Sequence, residues 1–183
     1  MALILRAAER LAVPWKNGGG LTREVAVHPP GSDLGNFDWR VSIAEVHRGG
    51  PFSSFPGVDR HMAVISGVLT LSVAGREPLT LSHDGPCVSF PGDLPASAEP
   101  RQAPVTDLNV MTRRGSVPGE AVVKPESDTT LIVASGPLVL RAPSIECSLS
   151  MLDAVRLPAS GALLTLRAAG PAAIFWLIEI CAL

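Results

Sequence analysis

Glycine and proline recur so often in this chain, seventeen of each in 183 residues, that few windows between them can sustain the i, i+3, i+4, i+7 spacing of an amphipathic helix. The punctuation leaves room mainly for short strands. Runs of β-branched and apolar residues bounded by turn formers predict strands over 2–7, 22–28, 39–46, 62–73, 79–82, 87–90, 105–112, 130–140, 146–149, 154–157, 162–166 and 173–181. One short helix is expected over 94–99. Many short strands separated by such turns build an antiparallel sandwich or barrel.

The strands also repeat. Val64, Ser66, Gly67, Leu69 and Leu71 recur as Val133, Ser135, Gly136, Leu138 and Leu140, an offset of 133 − 64 = 69 residues; Val88 and Pro91 recur as Val155 and Pro158, an offset of 155 − 88 = 67. Two matches in the same order point to tandem β-barrels, the first over 1–115 and the second, completed by N-terminal strands, over 116–183. The copies differ in polarity. From Thr130 onward the charged residues are Arg141, Glu146, Asp153, Arg156, Arg167 and Glu179, whereas the polar constellations crowd the first copy. Side chains are therefore expected to fill the second barrel, and a binding cavity belongs to the first.

A formal net charge of -2 offers no basic stripe, which argues against nucleic acid and membrane surfaces as partners. Cys87, Cys147 and Cys181 are odd in number, far apart and without a C-x-x-C, so they read as reduced core thiols. No secretory signal is visible, and the apolar run over 172–183 is short and carries Glu179; the cytoplasm is the expected compartment. His28, His47, His61 and His83 form no H-x-H pair, so neither a metal nor another cofactor is expected. No G-x-S-x-G elbow and no thiol in an electropositive segment stand out, and no residue is assigned a catalytic role.

Three stretches carry the chemistry that remains. Residues 15–24 combine Trp15, Lys16, Asn17, three consecutive glycines, Thr22 and Arg23; the glycines require positive φ or close backbone approach, and the flanking donors suit an anion. Around 38–44, strand alternation puts Trp39, Val41 and Ile43 on one face and Asp38, Arg40, Ser42 and Ala44 on the other, either toward solvent or lining a lumen. The stretch 105–111 does the same with Asp107, Asn109 and Met111. Between them, Asp59 and Arg60 form an ion pair, or Arg60 faces the lumen.

Taken together, Trp15-Lys16-Asn17-Gly18-Gly19, Thr22-Arg23-Glu24, Trp39-Arg40-Val41-Ser42-Ile43-Ala44, Gly50-Pro51-Phe52-Ser53, Phe55-Pro56-Gly57-Val58-Asp59-Arg60 and Asp107-Leu108-Asn109-Val110-Met111 resemble the HutD/Ves proteins. The resemblance covers about half the chain and implies an all-β bicupin, two cupin-like barrels in one chain. It also implies a link to histidine catabolism, where a family member encoded with the utilisation enzymes modulates pathway expression by sensing a small metabolite. No established catalytic activity comes with it.

These lines converge on a cytoplasmic, metal-free regulator that binds a small anionic metabolite of the formate, N-formylglutamate or urocanate class. The expected ligand-binding residues are Trp15, Lys16, Asn17, Thr22, Arg23, Arg40, Ser42, Asp59, Arg60, Asn109 and Met111. The alternative is a metal-independent isomerase or hydrolase with Glu24, Asp59 or Asp107 as general base. A structural module with a vestigial cavity is a third reading. Exposed β edges and high apolar content make a homodimer an expectation as well.

Overall fold

A computed structural model describes residues 3–115, 129–134, 136–142, 145–158, 165–168 and 175–180. Among them the chain forms β1 (Leu3–Leu5), β2 (Ala12–Pro14), β3 (Gly20–His28), β4 (Trp39–Val46), β5 (Gly50–Pro51), β6 (Val58–Val73), β7 (Leu79–Ser82), β8 (Val88–Pro91), β9 (Ala96–Arg113), β10 (Thr129–Ala134), β11 (Leu138–Ala142), β12 (Ile145–Leu149), β13 (Ala154–Pro158), β14 (Thr165–Ala168) and β15 (Phe175–Ile180). A 3-10 turn, Ala7–Glu9, follows β1. No helix among the described residues is long and apolar enough to cross a membrane.

The chain divides into two compact units, one of residues 11–119 and one of residues 1–10 with 120–183. The first is built on an antiparallel sheet in the order β2-β3-β4-β9-β6-β7, with β5 added to β9 and β8 to β6. The second holds a sheet in the order β1-β13-β10-β15 and another in the order β12-β11-β14. One pairing scheme recurs in both. Asp59 on β6 lies opposite Pro91 of β8 and Thr112 of β9, and Thr129 on β10 lies opposite Pro158 of β13 and Ile180 of β15.

Each unit has its own apolar core. In the first, Met62, Val64, Leu69, Leu71, Phe90 and Val105 pack together with Trp15 and Phe52 at the margin. In the second, Ile132, Leu138, Leu140, Leu149 and Val155 are fully enclosed, with Ile4 of β1 packed against them. Each such side chain contributes about 2 kcal/mol of burial. The N-terminal segment is tied to the second unit by Asp153, whose carboxylate accepts from Arg6 Nη1 (2.7 Å), Ala7 N (2.8 Å) and Ser150 N (3.0 Å).

Several expectations needed correction. Residues 94–99 are not helical: β9 begins at Ala96, and Ala96, Ser97 and Ala98 pair with Val73, Ser72 and Leu71. Cross-strand pairing overrides the local propensity of an Ala/Glu segment that is too short to nucleate a helix. The run expected over 130–140 ends as β10 and resumes as β11. Pro137, which has no amide donor, stands where the first copy has Val68, and there β6 continues unbroken. Cys87 is exposed and Cys147 half-buried rather than core thiols, and Cys181 lies outside the described residues, as do residues 162–164 of the strand expected over 162–166. Strands β2 and β5 are too short to carry a readable alternation and were not expected.

Candidate functional site

The three glycines after Asn17 shape the entrance to the first unit. Gly18 has φ +66, and a Cβ on Gly20 would stand 2.3 Å from the Glu45 carbonyl oxygen. The Gly19 carbonyl accepts from both His47 N (2.8 Å) and Arg48 N (3.0 Å), which pins the loop to the end of β4. Trp15 N donates to Gly20 O at 2.9 Å and closes the turn between β2 and β3. Positive φ and close approach, the two reasons a stable fold keeps such glycines, are thus both present.

Below this loop lies a cavity of about 690 Å³, a size that suits a small-molecule ligand. Three strands supply its polar rows. Glu24, Ser42 and Asn109 pair directly across β3, β4 and β9, as do Thr22, Ala44 and Asp107 in the next row. Directly paired residues project from the same side of an antiparallel sheet, so both rows line one lumen. Arg40 and Arg60 enter from either side of Met111, which lies opposite each of them.

The deep end of the cavity is organised around Arg60. Its guanidinium carbon sits 4.5 Å from the Phe52 ring centroid and 5.2 Å from that of Phe90, with Phe90 opposite Arg60 in the β6–β8 pairing. Arg60 Nη2 donates to Asn109 Oδ1 at 2.8 Å, and Asn109 Nδ2 in turn donates to Asp107 Oδ1. Arg60 Nε and Asp107 Oδ2 are both buried and have no hydrogen-bond partner among the described residues. Burial lowers the Arg60 pKa to about 10, with Asp107 pulling the other way. Burial likewise pushes the Asp107 carboxyl up to about 7, against the attraction of Arg60.

Nearer the opening the polar groups are more fully engaged. Arg40 Nε donates to Glu24 Oε2 at 2.9 Å and its Nη1 to Ser42 Oγ at 3.3 Å. Trp15 Nε1 donates to Thr22 Oγ1 at 2.8 Å, so the indole forms wall without an unsatisfied donor. Asn17 Oδ1 accepts from Gly19 N within the loop, and Lys16 is exposed at the rim.

Trp15, Lys16, Asn17, Thr22, Arg40, Ser42, Arg60, Asn109 and Met111 therefore all line one cavity; Arg23 and Asp59 do not. Arg23 follows Thr22 on a strand, so it projects from the opposite face, where it pairs with Glu45. Asp59 precedes Arg60 for the same reason; it accepts from Arg114 Nε at 2.9 Å rather than pairing with Arg60. Asp107, expected on the same strand face as Asn109 and Met111 and as a candidate general base, lines the cavity too; Phe52 and Phe90, which flank Arg60, are the groups that reading the chain for donors missed. Phe52 stands in a recognisable turn-rich motif, but only strand register places Phe90 against Arg60. Among the described residues no cluster of three or more His, Cys, Asp or Glu side chains could hold a metal ion.

The antiparallel sheet of the first unit, with a cavity lined by its β3, β4, β6 and β9 strands, is that of the cupin fold, in an all-β chain that divides into two units. Oxalate decarboxylase of Bacillus subtilis shares that fold, with a TM-score of 0.66 at 11% identity, covering 100% of this chain and 77% of that one. The chain belongs to the HutD family, whose model matches residues 7–173. HutD from Pseudomonas fluorescens, solved in a formate condition, superposes with a TM-score of 0.81 at 26% identity over 100% of this chain and 99% of that one. Protein Ves of Cronobacter sakazakii is 36% identical over 118 residues, 63% of each chain. An uncharacterized 21.2 kDa protein from the 3′ region of hutC in Pseudomonas putida is 36% identical over 111 residues, 59% of this chain and 56% of its own length. The matched segments thus span less than two thirds of these two relatives. The family carries a genomic link to histidine utilisation.

Proposed function

We propose that this protein binds a small carboxylate, of the formate, N-formylglutamate or urocanate class, and serves a regulatory role in histidine utilisation without needing a metal. The observation that carries the reading is Arg60: a buried guanidinium against two phenylalanines, with Nε lacking a partner among the described residues, at the floor of a cavity that opens at the glycine loop. An arginine fork in such a place is suited to a carboxylate, because its planar donors match two oxygens and the low dielectric strengthens the pairing. The relative solved in a formate condition and the relative encoded beside hutC support the class of ligand and the pathway.

Thermal unfolding in the presence of formate, N-formylglutamate and urocanate tests this directly. A carboxylate that binds the native state must raise the melting temperature, and Arg60→Met should abolish the rise. If none of the three stabilises the wild-type chain at millimolar concentration, the sensor reading fails.

One observation favours a second reading, a metal-independent enzyme. Asp107 is the carboxyl in the cavity whose pKa lies near neutrality, which suits a general acid or base. Of the other two candidate bases, Glu24 is held by Arg40 and Asp59 lies outside the cavity. Turnover of a pathway intermediate followed by NMR, and lost in Asp107→Asn, would displace the binding reading.

A further inference from the structure

Counted as ionised, the cations that line the cavity are matched by its acids: Lys16, Arg40 and Arg60 against Glu24, Asp33 and Asp107. Two of those acids are committed. Glu24 holds Arg40, and Asp33, on the exposed side, accepts from Gly35 N at 2.8 Å. The floor is therefore attractive to an anion only when Asp107 is neutral, since an ionised Asp107 already supplies the counter-charge to Arg60.

The geometry around Asp107 is incomplete in a matching way. The residue is 1% exposed, its Oδ1 accepts from Asn109, and Oδ2 is buried with no partner among the described residues. An ionised Oδ2 lacks a donor; a protonated Oδ2 lacks an acceptor. In either state the described residues supply no partner for this buried oxygen. The polar and charged groups that share the cavity lining with it include Arg60 from β6, Arg40 and Ser42 from β4, Thr22 and Glu24 from β3, Asn109 from its own strand, and Lys16, Asn17 and Asp33 nearer the opening. Its direct pairing neighbours, Ala44 and Val64, do not titrate. None of these groups accepts from Oδ2.

We propose that the carboxylate enters this cavity together with one proton, which solvent supplies and Asp107 Oδ2 holds. The inference rests on the carboxylate reading given above. The Oδ2–H donates to one oxygen of the ligand, the ligand becomes the acceptor that the described residues do not supply, and Arg60 balances the remaining negative charge. Burial holds the Asp107 pKa near neutrality, so the proton is taken up within the ordinary working range of pH. Asp107 then acts as the residue that selects for a ligand with an acceptor oxygen. His61, the other buried titratable group nearby, sits on the opposite face of β6 from Arg60 with Nδ1 engaged by Ser89 at 2.7 Å, outside the cavity.

Titration calorimetry of the whole chain with formate and with N-formylglutamate, in HEPES and in Tris, tests the coupling. At about pH 8.5 the two buffers should give different apparent heats, in the sense of uptake approaching one proton per site. Affinity should weaken roughly tenfold per pH unit above the Asp107 pKa. Asp107→Asn, which keeps a donor at that position, should still bind but with no uptake and no pH slope, whereas His61→Gln should keep both. Binding with equal heats in both buffers, or uptake that persists in Asp107→Asn, overturns the proposal and leaves the carboxylate reading standing. Should that variant fail to fold, the wild-type buffer comparison decides alone. Absence of binding even at about pH 6 overturns the carboxylate reading itself, and this proposal with it.

Discussion

Arg60 and Asn109, 49 residues apart in the chain, are joined by a 2.8 Å hydrogen bond at the floor of the cavity, and Asn109 passes the connection on to Asp107. The amide is the natural joint between them, because it accepts from the cation through Oδ1 and donates to the acid through Nδ2. One side chain thus satisfies two partners of opposite charge.

Replacing that joint should be costly. Asn109→Leu strips Arg60 of an acceptor and Asp107 of a donor while both stay buried, so a loss of about 3 kcal/mol is expected in urea unfolding. Ser42→Ala, on the paired position of β4, gives up only a 3.3 Å contact from Arg40 and should cost less than about 1 kcal/mol. Equal losses from the two substitutions would contradict the linking role of Asn109.

Gly20→Ala should destabilise the first unit by about 2 kcal/mol or more, because its Cβ would meet the Glu45 backbone oxygen, which cannot rotate away. Gly35→Ala is the control: its Cβ would meet only the Asp33 carboxylate at 3.2 Å, an exposed side-chain end that need give by no more than a few tenths of an ångström. Denaturant midpoints of the two variants check the contrast.

The unliganded protein should lose stability as pH rises toward neutrality on account of Asp107. Its folded pKa is about 7 and its ordinary value 3.8, so the folded state binds the proton more tightly than the unfolded state. The stabilisation is fully present below about pH 4 and is lost as pH climbs through about 7, after which this group adds no slope. Comparing urea unfolding of wild type and Asp107→Asn at about pH 5 and about pH 8 isolates it: the difference between the two proteins should shift with pH, and a constant difference would contradict the raised pKa.

Lys16→Ala should leave folding stability within about 0.5 kcal/mol of wild type, because the side chain is exposed at the rim. Carboxylate affinity should fall several-fold and lose part of its salt dependence. A drop in the stability of the apo protein as large as the drop in affinity would return the loop to a purely structural role.

Much of the site was legible because β alternation is a local property. Arg40, Ser42 and Ala44 must share a face, as must Asp107, Asn109 and Met111, whatever the rest of the chain does. The same period also says that Thr22 and Arg23 cannot both face one lumen, nor Asp59 and Arg60; it does not say which of each pair turns inward. The segment 94–99 was misjudged for a related reason, since its composition suits a short helix and only the facing edge of β6 makes it a strand.

The sequence by itself determined an all-β chain of two related halves, the loop of three glycines and the two polar rows, because punctuation and period-two patterning act between near neighbours. Only the tertiary structure decided which cation reaches the floor of the cavity, that Phe52 and Phe90 flank it, and that Asp107 carries an oxygen beside it with no partner among the described residues. Those outcomes depend on burial and strand register between residues far apart in the chain, and it is burial that turns an ordinary aspartate into a group that titrates near neutrality.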